Sequence, residues 1–286
     1  MKKVFVLFSI VCCFFLTGCI KRDSMEDISI YTSVYPIEYI SNRLYGEHSK
    51  VTSIYPDGVI TSLYTLNDKQ LKDYSKSDLF IFNGLSDEKK YLQPMLKFNK
   101  DLKIIDSTLS MEFSSYQEEL WLDPSNALML ARNIKTGLNE YINNHYLKND
   151  IEKNYENLKI DLSTLSAKLN VISSSSNDPT IVVSSNMFKF LEKYGFNVIS
   201  LDEDSVSDKI ISDVKRRIST GSTKHIFVVK NANISPTVQS IIDETNVPTL
   251  EIHSLSSISD SERTGKKDYM SLSLENINLL KQELYR

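Results

Sequence analysis

Ser77-Asp78-Leu79-Phe80-Ile81-Phe82-Asn83-Gly84 places four consecutive apolar residues between an acid and an Asn-Gly turn signal. An alternating run would mark a strand with one wet face. A short unbroken run marks a strand covered on both faces, as in a parallel sheet flanked by helices. The same grammar repeats outward. Residues 28–34, 51–55 and 103–106 read as further strands. Pro36 opens an amphipathic helix at a first-turn position, where its missing N–H costs nothing, and Gly46 closes it. A short helix over 67–74 is capped by Asn67 or Asp68. In the second half, strands at 180–183, 198–201, 226–229 and 249–252 alternate with helices at 187–194, 207–218, 235–245 and 268–285. Gly195 fits the residue that ends the first of these helices.

Between the halves stands Trp121-Leu122-Asp123-Pro124. Asp123 is a natural N-cap and Pro124 a natural first helical residue, and Leu128, Leu130, Ala131, Ile134 and Leu138 supply the apolar stripe that follows. A second long pattern over 149–171, with Leu158, Leu162, Leu165 and Leu169 at helical spacing, reads as one helix crossing between two lobes. The expected fold is α/β: two α/β lobes with mainly parallel sheets, joined by one long bridging helix. The expected boundaries are 27–145 for the N-terminal lobe, 146–175 for the bridging helix and 176–286 for the C-terminal lobe.

The first residues belong to no lobe. Lys2 and Lys3 precede an apolar run from Val4 to Leu16 broken only by Ser9. That run fits a signal-peptide core and falls short of the ~20 residues needed to span a bilayer. Leu16-Thr17-Gly18-Cys19 resembles the bacterial lipobox, whose cysteine carries lipid and becomes the mature N-terminus. Residues 1–18 are thus expected to be a lipoprotein signal peptide, and 19–26 a lipidated tether attached to membrane lipid through Cys19. The alternative is an ordinary signal peptide or uncleaved anchor that happens to end in cysteine. Cys12 and Cys13 leave with the leader, so no disulfide or thiolate chemistry is expected of the mature chain. A formal net charge of −4 argues against nucleic acid, which needs a basic patch.

The chain resembles the zinc- and manganese-binding solute-binding lipoproteins of ABC importers. Thr32-Ser33-Val34-Tyr35-Pro36, Tyr55-Pro56-Asp57-Gly58-Val59, the stretch 71–84, Trp121-Leu122-Asp123-Pro124, Phe188-Lys189-Phe190-Leu191 before Tyr194-Gly195, Ile234-Ser235-Pro236 and Tyr269-Met270 carry the likeness in order. It implies a ligand cleft between the two lobes, and a lipid-anchored receptor on the extracytoplasmic face of a bacterial cell membrane, a monomer, with an ABC permease as partner.

The resemblance also implies ligand positions. The family binds its ion with three histidines and one or two carboxylates. The histidine positions fall on Ser62, Glu119 and Ser185, and the late carboxylate falls near Leu255. Serine hydroxyls are poor donors for Zn²⁺ or Mn²⁺, and leucine is none. No bound metal or other cofactor is therefore expected, and the favoured reading is a solute-binding protein without the usual metal site. Two alternatives stay open. One is a functional Zn or Mn receptor with a relocated site built from Glu119, Asp202 and His253, because period-two alternation would put His253 and Leu255 on one strand face. The other is a surface adhesin or interaction protein on the same scaffold. Enzyme chemistry is not expected. Ser184 and Ser185 lie between a strand and a helix but lack the glycines of a nucleophile elbow, and no phosphate-cradling loop is present.

Overall fold

The computed structural model describes residues 23–111, 119–204 and 206–285. The leader and Cys19 lie outside the described residues, as does the first half of the expected tether.

The first lobe runs β1 (Ile28–Thr32), α1 (Tyr35–Tyr45), β2 (Ser49–Ser53), α2 (Asp68–Tyr74), β3 (Leu79–Phe82), α3 (Leu92–Phe98) and β4 (Lys103–Asp106). Two long helices follow, α4 (Pro124–Tyr141) and α5 (His145–Ser174). The second lobe runs β5 (Thr180–Val183), β6 (Asn197–Ser200), α6 (Asp208–Ser219), β7 (Ile226–Val229), α7 (Pro236–Thr245), β8 (Thr249–Ile252), α8 (Asp260–Thr264) and α9 (Tyr269–Leu284). Each lobe holds a four-stranded sheet with all pairs parallel, in the orders β2-β1-β3-β4 and β6-β5-β7-β8. The second order is the first repeated.

The sequence logic holds at the centre of each sheet. Leu79–Phe82 in β3 and Thr180–Val183 in β5 are buried at every position, as a strand covered on both faces must be. Helix starts follow their caps. The Asp123 carboxylate accepts from the Ser125 amide ahead of Pro124, and Asn144 accepts from the Tyr146 amide to open α5. At 30 residues, α5 is the long linker, about 45 Å from end to end. It packs on α1 and α4 in the first lobe and on α9 in the second. One apolar core runs through both lobes, and a smaller cluster including Val182, Val214 and Ile241 lies in the second lobe.

Two expectations change. Residues 186–194 form a 3₁₀ segment, Asn186–Tyr194, rather than an α-helix, ending at Gly195 with φ +86°. The tether reading also fails at its inner end. Met25 is fully buried, and Asp23 accepts from the Met25, Asn143 and Asn144 amides at 2.7–2.9 Å. The packed structure therefore begins by Asp23, because that carboxylate satisfies otherwise orphaned amides at the α4–α5 corner.

Candidate functional site

In open parallel sheets, ligands bind outside the carboxyl ends of the strands. A cleft of about 360 Å³ lies there, between the lobes. The first lobe contributes the loop after β2 (Tyr55, Gly58 to Thr61, Leu63), the turn after β3 (Ser86 to Glu88), and Glu119 with Trp121 ahead of α4. The second lobe contributes Met187, the loop after β7 (Lys230 to Asn233), and His253, Ser254, Ser256 and Ser257 after β8. The first-lobe wall carries the carboxylates Asp87, Glu88 and Glu119. The second-lobe wall carries amides and hydroxyls together with Lys230 and His253.

Three contacts close the back of the cleft. Trp121 Nε1 donates to the Ser254 carbonyl at 2.9 Å, and the Tyr269 hydroxyl donates to the Trp121 carbonyl. Asp123, 4% exposed, accepts from the Tyr194 hydroxyl and pairs with Lys193 at 3.0 Å. Burial pushes the Tyr194 phenol up to about 12, with the neighbouring Asp123 carboxylate adding to the shift, so it remains a donor. The third contact is Arg263. Its guanidinium grips Asp57 at 2.5 and 2.8 Å, reaches Glu38 at 3.1 Å and lies over the Tyr35 ring. Burial raises the Glu38 carboxyl although Arg263 opposes the shift. Beside this clamp the Gly58 amide donates to the Ile258 carbonyl at 2.7 Å, and Gly58 takes φ +76°, a conformation that favours glycine. The first-lobe loop that lines the cleft is thus fastened to the second lobe.

The positions singled out in the sequence separate here. Ser62 lies in the single turn Thr61–Leu63, whose flanking Thr61 and Leu63 line the cleft. Glu119 lines it too. Ser185 instead caps the Asn186–Tyr194 segment, its hydroxyl accepting from the Met187 amide at 3.3 Å. Leu255 is not a cleft residue: it is 1% exposed and sits in the apolar core. The period-two expectation fails because β8 ends at Ile252 and Leu255 adopts φ +60°, which breaks the alternation. Asp202 accepts from the Asn186 amide at 3.0 Å and the Asp204 amide at 3.3 Å, away from the cleft lining.

Of the relocated-site trio, the structure therefore brings only Glu119 and His253 to one cavity. Both ring nitrogens of His253 face protein partners. Nδ1 accepts from the Leu255 amide at 2.8 Å, and Nε2 stands 3.5 Å from Glu262. Burial lowers its pKa, favouring the neutral ring. Among the described residues, no group of three His, Cys, Asp or Glu side chains converges as metal ligands do.

Glu262 was not foreseen as a cleft-supporting residue. It is held by Lys230 at 2.7 Å and by the amide and hydroxyl of Ser259. Burial pushes its carboxyl up, but these donors outweigh burial and leave it at about 2. The Ser259-x-x-Glu262 capping box was legible in the sequence; the reach of Lys230 from another strand was not.

Two parallel-sheet lobes on a helical linker, with a cleft at their facing strand ends, make up the fold of solute-binding proteins. The profile of the family described as "ZnuA: Zinc-uptake complex component A periplasmic" matches residues 30–283, and the chain belongs to that family. Solute-binding proteins of that family are receptors, not enzymes. The zinc-binding lipoprotein AdcA of Streptococcus pneumoniae strain R6 is 20% identical over 311 residues, covering 99% of this chain and 61% of the relative. The chain thus spans about 61% of the length of that relative. The metal ABC transporter substrate-binding lipoprotein ScbA of Streptococcus cristatus is 25% identical over 264 residues, covering 83% and 84%. Among solved structures, the Zn(II)-bound ZnuA-like domain of S. pneumoniae AdcA superposes with a TM-score of 0.75 at 19% identity, covering 91% of this chain and all of that domain.

Proposed function

We propose that this chain is the receptor of an ABC importer, anchored through lipid on Cys19 at the extracytoplasmic face of the membrane, and that its cleft takes a small polar organic solute in place of Zn²⁺ or Mn²⁺. The observation that carries the reading is what the family's ligand positions do here. Ser185 caps a turn, Leu255 fills the core, and His253, the nearest replacement, has both ring nitrogens turned to protein partners. Such a donor set does not fit a tetrahedral zinc site. The cleft volume supports the same reading, since organic-ligand pockets run roughly 300–1,000 Å³. The receptor acts as a monomer and delivers its solute to a permease. Loss of the metal site, lipid attachment, monomeric state and permease partner all belong to this proposal.

The test is a thermal-shift panel on metal-stripped protein, covering amino acids, amines, sugars, Zn²⁺ and Mn²⁺. A ligand that binds only the folded state must raise the melting temperature. The reading expects an organic solute to raise it and both metals to leave it unchanged. A shift with metal alone contradicts it.

A second reading keeps a rebuilt metal site, because Glu119 and His253 share the cavity. His253 would have to release the Leu255 amide or turn Nε2 from Glu262, so that reading predicts a metal-induced shift abolished by His253→Ala.

A further inference from the structure

The inner end of the expected tether is fixed, and that constrains how the molecule meets the membrane. Asp23 accepts from the Asn143 and Asn144 amides at 2.8 and 2.7 Å, at the corner where α4 gives way to α5. The Tyr45 hydroxyl donates to the Met25 carbonyl at 2.7 Å, and the Met25 side chain is fully buried. Asn144 in turn reaches Glu26 at 3.3 Å. The bonds to Asn143 and Asn144 join residues some 120 positions apart and, with buried Met25, fasten the Asp23 end of the chain to the corner.

Only Ile20, Lys21 and Arg22 separate Asp23 from Cys19. Even fully extended, that stretch reaches no more than about 14 Å. Asp23 to Asp27 leads directly into β1, so the anchor lies at the amino-terminal edge of the first sheet. The cleft lies at the carboxyl edge, further away by a strand length on the order of 17 Å. Around the anchored corner the surface offers Tyr146, 79% exposed on the first turn of α5, with exposed His145 and partly buried Lys148. Tyrosine is an interfacial residue, apolar in body and polar at its tip. Lys21 and Arg22 put two cations between the lipid and the folded lobe, where anionic headgroups attract them. The nearby acids include Glu26, Asp27, Glu140 and Asp150, of which Glu26 is engaged by Asn144 and Asp150 by His48.

We infer that the α4–α5 corner is a membrane-resting surface: Asp23 clasps the lipidated N-terminus to it, Tyr146 sits at the headgroups, and the cleft is held at a set height above the bilayer. The inference rests on lipid attachment at Cys19. Its occupant is the leaflet that holds those acyl chains.

The experiment uses the full lipidated protein in vesicles of mixed zwitterionic and anionic phospholipid carrying headgroup spin labels. An environment-sensitive fluorophore is placed at Tyr146→Cys or, as reference, at Ile160→Cys, which is also exposed on α5. Quenching at 146 is expected to exceed that at 160 several-fold. Asp23→Ala is expected to shrink the difference. Inserting ~10 Gly/Ser residues between Arg22 and Asp23 should shrink it too while leaving every folded contact in place. Equal quenching at the two positions, or a difference untouched by the insertion, overturns the inference. The mass of the mature protein separates the two levels. An acylated mass with equal quenching defeats the membrane-resting surface alone, whereas an unacylated mass defeats the anchoring reading and the surface together.

Discussion

The joint at Trp121 to Pro124 and the cleft in front of it are built from adjacent residues, yet they follow different rules. At the joint every side chain has a fixed task. Trp121 bonds across to Ser254, Asp123 caps α4 and receives Tyr194, and Pro124 occupies the first helical turn. In and around the cleft, residues that the sequence singles out have local tasks of other kinds. Ser185 is a cap, Leu255 is core, and His253 braces its own loop. The difference teaches that the joint is one packed cluster, whereas the cleft is assembled from loops of both lobes. The joint is constrained by packing with the whole protein, while the chemistry of a cleft is set by the particular residues its loops carry.

That contrast can be broken first at the joint. Trp121→Ala removes a buried indole and an inter-lobe hydrogen bond, and is expected to destabilise the fold by about 3–5 kcal/mol in urea titration. Retention of wild-type stability would mean the joint is not what holds the lobes. Arg263→Ala should be next in size. It leaves Glu38, 6% exposed, without its cation, and after allowing for solvent screening at the half-exposed arginine the loss is about 1–3 kcal/mol. Because the same guanidinium ties down Asp57, amide exchange over residues 57–63 should accelerate, and unaltered exchange would contradict the clamp.

Asp23→Ala should remove about 1–2 kcal/mol by depriving three amides of their acceptor. Burial pushes the Asp23 carboxyl up, but the amides more than offset it and hold it below its ordinary value. Its contribution is therefore present above about pH 4 and is lost as pH falls through the depressed folded value. Wild-type and variant stabilities should converge in acid; a gap that widens there would refute the sign. The smallest effect is expected in the cleft itself. Glu119→Gln should change stability by less than about 0.5 kcal/mol while weakening solute binding, the reverse of the joint variants.

What the sequence disclosed follows the same division. Leu79 to Phe82 announced a buried parallel strand, and the leucine spacing announced α5, because both are local periodicities enforced by a core. Asp123 and Pro124 announced a helix start through cap chemistry. The cleft was harder to read. Alternation places Leu255 beside His253, but one left-handed residue turns it into the core, and nothing in the local pattern signals that reversal. The pairing of Lys230 with Glu262, and of Arg263 with Asp57 and Glu38, joins residues brought together only by the tertiary fold. Asp23 was read as tether because its partners lie at the far end of the lobe's sequence.

Metal stoichiometry separates the proposed organic-solute receptor from a zinc or manganese receptor. Folded protein would be stripped with chelator, dialysed against buffered free Zn²⁺ or Mn²⁺, and its metal content measured by mass spectrometry. Far less than one equivalent of either ion is expected, with no dependence on Glu119 or His253. One tightly held ion per chain, lost in Glu119→Ala or His253→Ala, would contradict it and establish a rebuilt metal site.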